Sequence, residues 1–180
     1  MTTVFIGGSR AVSKLSAAIR GKLDDFIARD CHILVGDANG ADKAVQQHFS
    51  MRGYKNVTVF CMEACRNNIG GWPARKIEAS TGKRDFSYYA MKDIAMSREA
   101  KYGMMLWDGK SKGTLHNIRN MVDAGKATLV YFAPTQEMLK ISNEQELQDL
   151  LKRCNKEQIQ LAESRIAGLS AVGQQRLPIS

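Results

Sequence analysis

Short apolar runs alternate along the chain with longer stretches of helical periodicity. "TVFIGG" (3–8) is β-rich and ends in glycines, and the segment after it carries Leu15, Ala18, Ile19, Leu23, Phe26 and Ile27 at helical spacing. The unit recurs. "HILVGD" (32–37) leads through "ANGAD" into "KAVQQHFSMRG", and "NVTVFC" (56–61) is a third apolar run. Further on, "YGMMLW" (102–107) leads through "DGKSKGT" into "LHNIRNMVDAG", and "ATLVYF" (127–132) closes the set. Parallel strands need crossover helices, so this rhythm predicts a mostly parallel sheet covered on both faces, a Rossmann-like three-layer α/β sandwich.

Two stretches break the rhythm. Residues 62–84 are rich in Gly, Asn and basic side chains and follow the carboxyl end of the third run, where open α/β sheets carry ligand-covering loops. From Ser142 onward the pattern is helical: Ser142 and Gln145 fit a capping box, and Leu147, Leu150, Leu151, Cys154, Leu161 and Ala162 form an apolar stripe. These positions predict a long C-terminal helix. Its stripe suits packing on the domain's own core, with a dimer surface as the alternative. The division expected is an α/β domain over 1–133 and a helical extension over 134–180.

Composition narrows the class only a little. A length of 180 residues suits one sizeable core, and the formal charge of +8 favours anionic partners without choosing between polymers and small phosphates. The basic residues are scattered, which is how an ordinary solvated surface reads. The four cysteines show no CxxC pair and no secretory leader precedes them, so buried, inert thiols in a reduced, cytoplasmic setting are expected. Cys61 and Cys65 lack the partners of a four-ligand zinc site, and neither a metal nor a cofactor is called for. No apolar run approaches the roughly 20 residues needed to span a bilayer, so a soluble chain is expected.

Three polar loops leave strand carboxyl ends: "GGSR" (7–10), "GDANGAD" (36–42) and "DGKSKGT" (108–114). In a parallel sheet those ends share one edge, so the loops converge. Glycine lets a backbone approach a ligand closely, and a following helix offers free N–H groups and a positive dipole end, which suits phosphate. Ser9, Ser111 and Thr114 add hydroxyls, and Arg10, Lys110 and Lys112 add charge. A pure anion site would avoid Asp37, Asp42 and Asp108, whereas ribose hydroxyls and a base edge need acceptors, so the mixture points to a nucleotide. Asp42 fits N-capping of the next helix as well as it fits ligand binding.

Together "VFIGGSR", "ILVGDANGAD" and "MMLWDGKSKGT", with "KDIAM" upstream of the last, resemble the SLOG superfamily, the Rossmann-like group that includes lonely-guy phosphoribohydrolases and the DNA-processing protein A domain. Within it, the pairing of GDAxGAD and WDGKSKGT loops looks like small bacterial and phage members. The resemblance covers residues 3 to about 132. It implies a nucleotide-derived ligand held by Gly7, Gly8, Ser9 and Arg10, by the second loop through Gly36, Asp37, Ala38, Gly40 and Asp42, and by Asp108, Gly109, Lys110, Ser111, Lys112, Gly113, Thr114 and Asn117. It also implies self-association into a homo-oligomer.

The phosphoribohydrolases of that group read PGGxGTxxE with an Arg on the preceding helix. Here Trp107, Asp108 and Gly109 replace PGG, and Asn117 stands three residues after Thr114. An amide cannot act as a carboxylate base or stabilise an oxocarbenium ion by charge. The leading expectation is therefore a nucleotide-binding sensor or sequestering protein. The alternative is an enzyme acting at the N-glycosidic bond, a nucleoside-monophosphate hydrolase with Asp108 or Asp37 in the anionic role and Arg98 as a candidate phosphate contact. Single-stranded nucleic acid, stacked on Trp72, Tyr88 and Tyr89, ranks third.

Overall fold

The computed structural model describes residues 1–78 and 84–154. All five apolar runs are strands: β1 (Thr3–Gly8), β2 (His32–Gly36), β3 (Val57–Cys61), β5 (Tyr102–Trp107) and β6 (Thr128–Phe132). With β4 (Ala74–Lys76) and β7 (Glu137–Ile141) they form a seven-stranded sheet ordered β4-β3-β2-β1-β5-β6-β7. Every pair is parallel except β6 with β7. The helices are α1 (Ala17–Ala28), α2 (Ala41–Met51), α3 (Phe86–Glu99), α4 (Lys112–Asp123) and α5 (Glu144–Leu151).

Because side chains alternate across a strand, each run supplies two cores. Phe5, Leu34, Phe60, Met105, Trp107, Val130 and Phe132 point to one face, where they join Met96 of α3, Leu115 and Ile118 of α4, and Leu147, Leu150 and Leu151 of α5. Val4, Ile6, Ile33, Val35, Val57, Val59, Met104 and Leu106 point to the other, with Ile19 and Leu23 of α1 and Val45 and Phe49 of α2. A sheet buried on both faces explains why its central strands read as unbroken apolar runs. The fold is an α/β, Rossmann-like three-layer sandwich.

The chain builds outward from β1 through β2 and β3 to β4, then returns to place β5 on β1's other side. The connections leaving β1 and β5 thus depart in opposite directions, opening a crevice at their carboxyl ends.

Four sequence expectations are corrected. The segment after residue 134, expected as helical, opens with strand β7, whose five residues "EMLKI" pair antiparallel with β6. The cap of α5 is one residue later than expected: Asn143 accepts from the Glu146 amide at 2.9 Å, and the Glu146 carboxylate accepts from the Ser142 amide at 2.6 Å. The glutamate thus reaches the amide of the residue just before the cap, and Gln145 instead donates outward to Asp149. Cys61 and Cys65, expected as free thiols, are joined by a disulfide; Cys31 and Cys154 are free. Trp72 is no stacking platform: it is buried in the α1/α2 core, its indole N–H donates to the Tyr54 carbonyl, and Asn68 bonds its backbone on both sides. Leu147, Leu150 and Leu151 of the terminal stripe pack on the domain's core, while Leu161 and Ala162 lie outside the described residues. Among the described residues, no helix is long and apolar enough to cross a membrane.

Candidate functional site

At the crevice between β1 and β5 lies a cavity of about 670 Å³, within the range typical of small-molecule sites. Gly7, Gly8 and Arg10 from the first loop, Ala38 and Asp42 from the second, and Asp108, Ser111, Gly113, Thr114 and Asn117 from the third all line it. The three loops do converge. Their contact is direct: the Ser9 hydroxyl, almost fully buried, donates to Asp108 Oδ1 at 2.9 Å and lies 3.2 Å from the Thr114 hydroxyl.

The third loop is held by its own aspartate. Asp108 Oδ1 accepts from the amides of Lys110 and Ser111 at 3.0 and 2.8 Å, while Ser111 Oγ caps α4 by accepting from the Thr114 amide at 3.4 Å. The amides of Lys112 and Gly113 have no partner inside the helix, and at a helix N-terminus they suit an anion. Gly40 locks the second loop against the first. Its φ of +85° is left-handed, and an added Cβ would sit 2.3 Å from the Arg10 carbonyl oxygen.

Several expected residues stand outside the cavity's lining. Ser9 and Gly36 lie behind it, Gly40 and Gly109 shape the turns, and Lys110 is exposed. Lys112 is half-buried and also outside the lining. Asp37 faces a smaller adjoining cavity, where its carboxylate accepts from the Arg66 amide at 3.0 Å and from the Arg66 guanidinium at 3.0 and 2.7 Å. Burial alone would raise the Asp37 pKa, but the Arg66 hydrogen bonds outweigh it and hold the carboxyl below the usual range. Arg98 is exposed on the last turn of α3 and faces a separate groove between α3 and α4. Tyr88 is buried, and of the aromatic platforms considered only Tyr89 lines the main cavity, with the Arg66 guanidinium 5.1 Å from its ring centre.

Helix α3 supplies what the sequence reading missed. Lys92 and Asp93 line the cavity from it beside Tyr89, which the sequence did offer, and Arg66 and Arg84 add guanidinium groups from the excursion after β3. Lys92 is 4% exposed and donates to Asp93 Oδ1 at 2.6 Å; the other Asp93 oxygen accepts from the Asn117 amide at 3.2 Å. Asp42, 6% exposed, does not cap α2, whose N-cap is Gly40; its Oδ2 accepts from the Ala38 amide at 3.2 Å. Gly36 is required beneath this group, because a Cβ there would lie 2.4 Å from Asp42 Oδ2 and 2.8 Å from Lys92 Nζ. Burial raises the Asp42 pKa to about 6 against the pull of Lys92. Burial also opposes the charge on Lys92, but Asp93, Asp42 and Asp37 prevail and hold its pKa above the ordinary lysine value. The signal for Lys92 and Asp93 was the "KDIAM" stretch, whose adjacent charges follow apolar and aromatic positions.

No protein-family model matches the chain, and no curated protein matches it in sequence. Among solved structures, DNA processing protein A from Helicobacter pylori, described for its single-stranded DNA binding mode, is similar in fold. The TM-score is 0.57 at 12% sequence identity, over 93% of this chain and 81% of that one. The likeness is one of fold.

Proposed function

We propose that the chain binds a nucleotide or nucleotide-derived small molecule in the cavity at the carboxyl edge of its sheet, acting as a sensor or sequestering protein. The observation that carries this reading is the mixed lining of one cavity: cationic Arg10, Arg66, Arg84 and Lys92 with the first turn of α4, beside acceptors Asp42, Asp93 and Asp108. A phosphate needs the first set, and hydroxyls and base edges need the second. Tyr89 offers one ring for one base. The loop motifs and the shared fold support placing the chain in the SLOG group. Asp108 Oδ1 is engaged in holding its own loop and Asp37 in bonding Arg66, which favours a binding role over cleavage of the N-glycosidic bond.

Single-stranded nucleic acid is the second reading, favoured by the DNA processing protein A likeness and the charge of +8. The burial of Trp72 and Tyr88 weighs against it, since stacking along a strand needs several accessible rings.

Calorimetry across mono-, di- and cyclic nucleotides, beside a short oligodeoxynucleotide, separates the readings. Arg10→Ala removes one charge-assisted contact and should weaken the best nucleotide by about 1.5–3 kcal/mol. Lys110→Ala, outside the lining, should leave that affinity unchanged. Oligonucleotide binding with no nucleotide binding would overturn the proposal.

A further inference from the structure

Buried charge at the floor of a ligand cavity calls for a ligand group to meet it. Four side chains form this floor: Asp42 from α2, Lys92 and Asp93 from α3, and Asn117 from α4. Three separate helices deliver them to one place, and two are among the most buried charged residues described, Asp42 at 6% and Lys92 at 4% exposure. The hydrogen bonds among them run one way. Lys92 and Asn117 each donate to an Asp93 oxygen, at 2.6 and 3.2 Å, and the Ala38 amide donates to Asp42 Oδ2 at 3.2 Å.

A carboxylate offers about four lone-pair sites, so two carboxylates offer about eight, of which these contacts use three. The carbonyl oxygen of Asn117 is also buried without a partner. With Lys92 charged and both aspartates ionised, the floor carries one net negative charge. A phosphate is therefore turned away from it toward the cationic rim and the first turn of α4. A metal ion is the poorer occupant, because the Lys92 ammonium already sits among the carboxylates and the described residues hold no cluster of three or more metal-ligating side chains. The fitting group is neutral, carries more than one donor, and is tethered a short distance from a phosphate. The paired hydroxyls of a ribose meet all three conditions.

We propose that Asp42 and Asp93 form a sugar-recognition floor that accepts hydrogen bonds from the 2′ and 3′ hydroxyls of a ribonucleotide, making the site selective for ribo- over 2′-deoxyribonucleotides. This rests on the nucleotide reading above and narrows it to a substrate class. Lys92 and Asn117 are positioning residues: each fixes one Asp93 oxygen and leaves the remaining lone pairs for the sugar. Removing one hydroxyl strands a desolvated carboxylate, so the penalty falls on the deoxy ligand.

The test is calorimetric titration with matched pairs: adenosine, guanosine, cytidine and uridine 5′-monophosphates against their 2′-deoxy counterparts. The best ribonucleotide should bind roughly tenfold or more tightly than its deoxy partner, as loss of a hydrogen bond to a charged group implies. Asp93→Asn should shrink that ratio toward one by lowering ribonucleotide affinity more than deoxynucleotide affinity. Asp42→Asn should act the same way, and retained binding of the deoxy ligand certifies that each variant is folded. Equal affinities within every pair for the wild type would overturn the sugar floor while leaving the nucleotide reading standing. An unchanged ratio in both variants would also overturn it. Absence of binding by all eight compounds, and by the di- and cyclic nucleotides titrated beside them, would overturn the nucleotide reading itself, and the floor with it.

Discussion

Asp42 carries a measurable signature of its position. Burial lifts its pKa from 3.8 to about 6, with Lys92 pulling the other way. A raised folded-state value means that the folded chain holds the proton more tightly than the unfolded one. The associated stability is fully present below about pH 4 and is lost as pH rises through about 6. Between pH 4 and 7 the wild type should therefore lose stability relative to Asp42→Asn, read by chemical denaturation at stepped pH. A wild type that gains on the variant over that window would show Lys92 outweighing burial. Legibility at this scale was uneven. Glycines and hydroxyls after strands announce themselves because turn geometry and phosphate chemistry demand those residue types, so the spacing points to Gly8, Ser111 and Thr114, and all three line the cavity. Lys92 and Asp93 were missed because a Lys-Asp pair on a helix reads as a solvated face. Only the docking of α3 on the sheet face, against β1, β2 and β3 and beside α4, buries them.

At the scale of elements, the strands buried on both faces were the readable ones, since their apolar runs have no polar face to blur them. The edges were not. β4 is "ARK" with all three residues exposed, and β7 alternates only weakly, so neither carries a hydrophobic signature. Both are specified by pairing with a neighbour already in place. Helix α5 shows the converse: its stripe was visible, and Leu147, Leu150 and Leu151 complete the core beside α4. Leu147→Ala should cost about 2–5 kcal/mol through lost burial and the cavity it leaves. Asn143→Ala should cost about 1 kcal/mol through the lost cap. Urea denaturation measures both, and a near-zero cost at Leu147 would mean that α5 is not integral to the core.

For the whole molecule, the order of the strands determines where chemistry can gather. Reversal of the chain's direction across the sheet at β1 and β5 opens one crevice, and the loops after β1, β2 and β5, helix α3 and the excursion after β3 all reach it. The mixture of charge inside that crevice, and not the net charge of +8, is what argues for a nucleotide. Hydrogen exchange read by mass spectrometry, with and without the mononucleotide that binds best, tests this most directly. Protection should appear together in residues 7–11, 36–42, 84–93 and 108–117 and leave the α1 face unchanged. Protection confined to another face, or none at saturating ligand, would contradict a nucleotide site at the carboxyl edge of the sheet.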